Sequence, residues 1–166
     1  MPPSFEEYVR ARGGYLLRVA YLLCGDRHLA EDLVQDVLAR AHRRWSQIEA
    51  EQPDGYLRTA LVQAHVSWWR RRSNRELAQE QLPEPAPGPD FTDRHALRAQ
   101  LWSLLHTLPR AQRAVLVLRY FEDLDDQTIA AALRCRPATV RVHAFRGLAA
   151  LRTRMENRDA VTGEVR

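Results

Sequence analysis

"DDQTIAAALRCRPATVRVHAFRGLAALR", residues 125–152, is the stretch whose reading decides the fold. Asp125 stands where a helix N-cap belongs, and Ile129, Ala130 and Leu133 follow at helical spacing as a buried face. The residues "RCRP", 134–137, interrupt that periodicity, and Pro137 suits the first position of a second helix. In that helix Val140, Ala144, Leu148 and Leu151 make an inward stripe, which turns Arg141, His143, Phe145 and Arg146 outward. Two helices joined by a short turn, the second rich in outward arginine, form the helix-turn-helix pattern. An exposed Phe between arginines suits a surface that meets something flat and negatively charged.

Upstream, "LPEPAPGPD", residues 82–90, holds four of the nine prolines of the 166-residue chain. Alternating prolines block helical hydrogen bonding and favour extended backbone, so this stretch reads as a semi-rigid linker. Neither side of it shows the alternation of a strand. The expected fold is therefore all-α, with two small helical domains joined by a Pro-rich linker. The boundaries read as residues 1–78, a linker 79–94, a second domain 95–155 containing the helix-turn-helix, and a flexible polar tail 156–166.

In the first domain, Ser4 and Glu7 have capping-box spacing, the stretch around the Gly13-Gly14 break reads as one or two helices, and Gly25 suits a helix end. Asp26 then caps "RHLAEDLVQDVLARAHRRW", whose Ala30, Leu33, Val34, Val37, Leu38, Ala41 and Trp45 recur at steps of three and four. "SQIEAEQPDG" reads as a loop, followed by a helix from Tyr56 to about Glu76. In the second domain Leu97, Leu101, Leu104, Leu105 and Leu108 form one apolar stripe, and Pro109 reads as the first residue of the helix "PRAQRAVLVLRYFED".

The chain has 25 basic residues, all arginine, a net charge of +4 and a pI near 9.6. Arginine favours bidentate contacts to phosphates and base edges, which makes nucleic acid a plausible partner without deciding the matter. Cys24 and Cys135 stand far apart without a metal-ligand spacing, and read as small packing residues in a reducing compartment. No signal pattern opens the chain and no apolar run is long enough for a bilayer, so the expectation is a cytoplasmic protein without stable membrane insertion.

Two further clusters carry chemistry. Glu31, Asp32, Gln35 and Asp36 collect on the polar faces of the second helix, where the helix dipole by itself accounts for acidic residues. "VSWWRRRSNRE" sets Trp68 and Trp69 beside Arg70, Arg71 and Arg72. Adjacent tryptophans point about 100° apart on a helix, so both cannot be equally central to one core. Aromatic rings beside guanidiniums fit base stacking with phosphate neutralisation. No nucleophile–base pair, phosphate-cradling glycine loop or metal cluster is found, and His65 and His106 read as surface or core groups. The expectation is no catalysis, no cofactor and no metal.

Taken in order, "AEDLVQDVLARAHRRW", "YLRTALVQAHVSWWRRR" and "LPRAQRAVLVLRYFEDLDDQTIAAALRCRPATVRVHAFRGLAALR" resemble the extracytoplasmic-function (ECF) group of bacterial RNA polymerase sigma factors, within the sigma-70 family. "RGLAALR" looks closest to an actinobacterial subgroup. The resemblance implies a region-2 and a region-4 domain without the middle sigma domain. It assigns Asp32, Gln35 and Asp36 to docking on the β′ coiled coil of core polymerase, which also contacts the factor through its β subunit. It assigns Gln63, Ser67, Trp68, Arg70, Arg71 and Arg72 to the promoter minus-10 element, with the loop before that helix holding a flipped base. Thr139, Arg141, Val142, His143, Phe145 and Arg146 then meet the minus-35 element, with Arg119 on its backbone. An anti-sigma factor is the implied regulator.

The chain departs from the family pattern at several places. Gln63 stands where Asn is frequent, Arg134 where Gly is usual, Thr128 where an acidic residue caps, and Val142 where Ser is common; Arg136-Pro137-Ala138 replaces the usual cap. Two other readings stay open on the residues alone. A stand-alone helix-turn-helix regulator leaves the acidic helix and "WWRRR" without a role, and a helical interaction protein without DNA binding draws on the departures in the turn.

Overall fold

The computed structural model describes residues 1–49, 52–75 and 94–163, with side chains in 1–49, 52–72 and 100–163. The proline-rich stretch and the side chain of Leu97 lie outside the described residues. Among the described residues every regular element is helical, and the chain divides into two units, 1–86 and 87–166.

In the first unit, α1 (Phe5–Cys24) starts at the Ser4 capping box, where Glu7 N donates to Ser4 Oγ at 3.2 Å and Ser4 N donates to Glu7 Oε2 at 2.8 Å. It ends at Gly25, left-handed at φ 73°. The Gly13-Gly14 pair does not break it. Two mid-helix glycines cost about 1 kcal/mol each, while Tyr8, Leu16, Val19, Ala20 and Leu23 bury one continuous face, each large apolar group worth about 1.5–3 kcal/mol. Asp26 caps α2 (Arg27–His42) by accepting from Leu29 N at 2.9 Å, and Ala30, Leu33, Val34, Val37, Leu38 and Ala41 are buried as expected.

The predicted loop is partly helical, because a short turn, α3 (Trp45–Ile48), buries Trp45 and Ile48. Trp45 Nε1 donates to Pro3 O at 3.1 Å, and its ring packs on Phe5 and Tyr8 with centroids 5.4 and 5.1 Å away. Thus an apolar pair inside a polar stretch fastens the N-terminus. Next, α4 (Pro53–Arg75) begins three residues earlier than predicted and buries Leu57, Leu61, Val62, Ala64 and His65.

The start of α4 is latched to α1. Asp54 Oδ1 accepts from Tyr8 Oη at 2.7 Å and Arg12 Nε at 3.1 Å, while Asp54 Oδ2 lies 2.9 Å from Arg12 Nη2. Burial works to raise the Asp54 pKa, but the Tyr8 and Arg12 hydrogen bonds and the charges of Arg12 and Arg58 outweigh it and hold the carboxyl below its usual range. A folded pKa below the unfolded one means the latch stabilises above the unfolded value, about 4, and is lost as pH falls through the folded value. Asp54→Asn is therefore expected to destabilise at pH 7 by up to about 1 kcal/mol, a figure discounted because the ion pair is partly exposed. The difference from the parent shrinks below about pH 4, as urea unfolding at stepped pH will show.

In the second unit, α5 (Arg94–His106) and the residues after it bury Leu105 and Leu108, but Leu104 is half-buried and Leu101 is 39% exposed, so the expected stripe is narrower. Pro109 is the N-cap of α6 (Arg110–Leu116), one residue before the helix and not inside it. This helix widens into a π-helical turn at Val117–Phe121, where Val117 and Leu118 are fully buried. Asp125 caps α7 (Asp126–Leu133) by accepting from Thr128 N at 2.7 Å. Ile129 and Ala130 are buried as predicted, with Ala132, whereas Leu133 is half-buried.

The turn closes as a Schellman arrangement. Cys135 N donates to Ala130 O at 3.0 Å, and Arg134 N donates to Ala131 O at 3.3 Å with Arg134 left-handed at φ 55°. A side chain costs about 1–2 kcal/mol in that conformation. Arg134→Gly is therefore expected to stabilise the second unit by about 1 kcal/mol, and to raise its thermal midpoint by about 4–8 °C for a domain of this size. A calorimetric scan of the full chain reads the shift directly.

Finally, α8 (Pro137–Gly163) runs on as helix into the stretch predicted as a flexible tail. Its inner face is Val140, Ala144, Gly147 and Leu151; Leu148, expected inside, is 40% exposed. Gly147 takes the inner place because α8 passes so close to α6 there. A Cβ at Gly147 would lie 3.0 Å from Leu116 Cδ1.

Candidate nucleic-acid interface

The residues singled out from the sequence lie on α4 and α2 of the first unit and on α8 and the π-helical turn of the second. In the first unit the outer side of α4 forms an open pocket of about 420 Å³, lined by Gln52, Gly55, Tyr56, Thr59, Ala60 and Gln63. Gln52 at its edge has φ 68°, and the Tyr56 ring is 43% exposed. The Asp54 latch sits in the same helical turn as Gly55 and Tyr56, so α1 fixes one wall of this pocket. Sequence reasoning named Gln63 and missed Tyr8, Arg12, Asp54 and Tyr56. The Pro53-Asp54 helix start was the available signal, since an acidic residue in a first turn invites a cationic neighbour.

Two turns along α4, Ser67 is exposed and Trp68 and Trp69 are both half-buried. The indoles meet edge to face, with centroids 5.1 Å apart at 85°, and His65 packs edge-on against Trp69 at 6.4 Å. The Arg72 guanidinium lies 5.0 Å over the Trp68 ring and 5.8 Å over Trp69, while Arg70 and Arg71 are exposed. Aromatic faces and free cations therefore share one stretch of helix beyond the pocket, a combination able to stack bases and neutralise phosphates.

On α2 the exposed residues Asp32, Gln35 and Asp36 share a face at i, i+3, i+4 spacing, with Asp36 Oδ2 3.5 Å from Arg40 Nη2. This acidic face is turned to solvent, so it contributes little to packing.

In the second unit the outer face of α8 presents Arg141, Val142, Phe145 and Arg146, all exposed, with Thr139 and His143 half-buried beside them. Phe145 is 76% exposed, far more than an aromatic ring needs for packing. The Nδ1 atom of His143 is shut off from solvent without a protein hydrogen-bond partner among the described residues. Arg119, at the π-helical turn, is half-buried and forms a hydrogen-bonded ion pair with Asp126; Asp126 Oδ2 also lies 3.8 Å from Arg141 Nη1. The role of Asp126 was not legible in the sequence, because the pairing follows from where the π turn sets Arg119.

Nothing in these surfaces resembles a catalytic centre. His65 is buried, and His106 is stacked on Trp102 at 4.4 Å with Nδ1 3.1 Å from Arg113 Nη1. Burial, with the Arg113 charge, pushes the His106 pKa down to about 4, so its ring is neutral near pH 7 and serves packing. Among the described residues there is no group of three or more His, Cys, Asp or Glu able to hold a metal, and neither Cys24 nor Cys135 is in a disulfide. No described helix is long and apolar enough to cross a membrane.

With this geometry in place, comparison with known proteins is specific. Residues 8–75 match the family model described as Sigma-70 region 2, and residues 98–151 match Sigma-70, region 4. The chain is 44% identical over 157 residues to the RNA polymerase sigma-E factor of Streptomyces coelicolor, covering 94% of this chain and 88% of that protein. It is 32% identical over 171 residues to the ECF RNA polymerase sigma factor SigE of Mycolicibacterium smegmatis, covering 98% of this chain and 65% of that protein. Among solved structures, the sigma factor RpoE of Bartonella quintana, crystallised with the anti-sigma factor NepR, aligns with a TM-score of 0.75 at 22% identity, covering 92% of this chain and 96% of that one. CnrH, solved with the cytosolic domain of CnrY, aligns with a TM-score of 0.61 at 19% identity over 92% and 88% of the two chains. Those two likenesses bear on the fold.

Proposed function

The chain belongs to the sigma-70 family of RNA polymerase sigma factors, and from that premise we propose which of its surfaces carries each step of transcription initiation. It is an ECF-type factor, a non-enzymatic subunit that directs core polymerase to promoters and promotes their opening. The acidic face Asp32, Gln35 and Asp36 docks on the basic coiled coil of the β′ subunit, and the factor reaches the β subunit as well. Once docked, α4 reads the minus-10 element through Gln63, Ser67 and Trp68, with Arg70, Arg71 and Arg72 on the phosphates.

Strand opening follows from binding energy. Unstacking a base costs a few kcal/mol, and an aromatic platform returns about 1–3 kcal/mol per base, so a protein that captures opened bases lowers the net cost of melting. The pocket beside Tyr56 and Gln63 is large enough for one flipped base, and the Trp68 ring offers a platform beyond it. In the second unit α8 enters the major groove of the minus-35 element with Thr139, Arg141, Val142, His143, Phe145 and Arg146, while Arg119 meets the backbone. Each module alone is a weak reader; tethering both on polymerase supplies avidity.

The observation that carries this assignment is Phe145, 76% exposed between Arg141 and Arg146 on the outward face of the second helix of a helix-turn-helix. Its test is transcription with purified core polymerase from a promoter mapped by transcript start sites after overexpression. Core binding with start sites sharing minus-10 and minus-35 elements supports the assignment, and failure to bind core overturns it. A specific duplex gel shift without polymerase would point to a stand-alone regulator. The place of action is the cytoplasm, where polymerase works. An anti-sigma protein is the proposed regulator, since the structural relatives RpoE and CnrH were solved with NepR and with the cytosolic domain of CnrY.

A further inference from the structure

Asp126 belongs to none of the surfaces assigned above, yet it engages two of the arginines assigned to DNA. Arg119 arrives from the π-helical turn after α6, Arg141 from the start of α8, and Asp126 is the first residue of α7, so one carboxylate ties three elements. The two contacts are unequal. Both side chains of the Arg119 pair are only 26% exposed, whereas Arg141 is 61% exposed and sits 3.8 Å from the carboxylate, an easily broken contact.

The location matters as much as the contacts. The first helix of a helix-turn-helix crosses the DNA backbone, and a helix N-terminus ordinarily favours an anion such as phosphate. Here the protein fills that end itself, with Asp125 accepting from Thr128 N at 2.7 Å and Asp126 beside it. Carboxylate and phosphate are alternative anionic partners for a guanidinium. An arginine that contacts phosphate must first leave the carboxylate.

We infer that Asp126 is an internal competitor for DNA, a carboxylate that occupies Arg119 and Arg141 in the free protein and so lowers the affinity of the second unit for any duplex. This rests on the assignment of both arginines to the minus-35 surface. The consequence is a factor that stays off bulk DNA until polymerase supplies the second tether. The contact restrains absolute affinity; base contacts still set sequence preference.

The test is fluorescence anisotropy with the full-length chain and a mixed-sequence 30-base-pair duplex, titrated from about 50 to 200 mM salt. Asp126→Asn keeps the shape and removes the charge. Asp125→Asn is the control, because it removes the same charge one residue earlier and keeps an equally good helix cap. Asp126→Asn is expected to bind about five- to tenfold more tightly at the low-salt end. Its plot of log affinity against log salt should steepen by about 0.9 for each arginine released. Asp125→Asn should do much less, and in an Arg141→Ala background the gain should shrink.

An Asp126→Asn protein that binds no tighter than its parent overturns the inference, as does an equal gain from Asp125→Asn, which would mean bulk charge alone. Weaker binding would mean that the carboxylate positions the arginines for DNA, and overturns it too. Transcription with Arg141→Ala separates the levels. If promoter use is unchanged, the minus-35 assignment fails and takes the competitor with it. If promoter use falls while Asp126→Asn binds like the parent, only the competitor fails.

Discussion

Replacing Arg141 and Arg146 together by alanine is expected to cut transcription from a minus-35-dependent promoter by at least about thirtyfold. A good bidentate arginine–base contact is worth about 1–3 kcal/mol, so two lost contacts remove 2 kcal/mol or more, and each 1.4 kcal/mol is a factor of ten. Both side chains are exposed, and the helix is held by Val140, Ala144, Gly147 and Leu151, which the substitution leaves untouched. The thermal midpoint and core-polymerase binding should therefore match the parent. Run-off transcription with defined holoenzyme measures the effect. A double variant that keeps a third or more of parental activity would remove α8 from the promoter-reading surface.

Trp68→Ala is expected to slow formation of the open complex by about five- to 150-fold while leaving the closed complex nearly as tight. That range is the 1–3 kcal/mol of one stacked base expressed as a rate or population. Trp68 is half-buried against Trp69 and lies beneath Arg72, so its removal also loosens the local packing. Two comparisons isolate the stacking role. Trp68→Phe keeps an aromatic face and should retain most activity, and a promoter already mismatched across the minus-10 element should rescue Trp68→Ala. Permanganate reactivity of opened thymines reports the step, and no recovery on the pre-opened template would show that Trp68 serves the fold instead.

Helix boundaries set by local chemistry were legible in the sequence, and contacts set by close approach were not. Ser4, Gly25, Asp26 and Asp125 act where a cap acts, because capping depends on one side chain or one backbone angle. The buried face of α2 was equally readable, since a regular stripe needs only the helical period. Gly13-Gly14 left one helix or two open, and the single helix forms because α1 is held by packing along its whole length, which outweighs two poor helix formers. Ile48 was hidden in a polar stretch, and Trp45, read as the end of the α2 stripe, lies instead in α3 against Pro3, Phe5 and Tyr8, far away in sequence.

The same distinction runs through the candidate surfaces. Trp68, Arg141, Phe145 and Arg146 were legible as candidates because an aromatic beside an arginine cluster on a polar face is anomalous in the sequence itself. Asp54 and Asp126 were missed because each is an ordinary first-turn acid until tertiary structure brings a guanidinium to it. Leu148 and Gly147 exchanged their expected places for a related reason. Helical period cannot separate neighbouring positions on the edge of a stripe, and the near contact with Leu116 decides in favour of the residue with no side chain.

That near contact has an evolutionary consequence. At Gly147 α8 has almost no freedom to accept a larger residue, so this position anchors the helix in a single register against α6. Val142, Phe145 and Arg146 alternate with the anchored positions along the same helix and face solvent, and Arg141 beside them reaches Asp126. On the proposed assignment, duplicated genes built on such a scaffold can exchange Val142, Phe145 and Arg146 and so acquire new regulons, while each daughter protein inherits an unchanged framework.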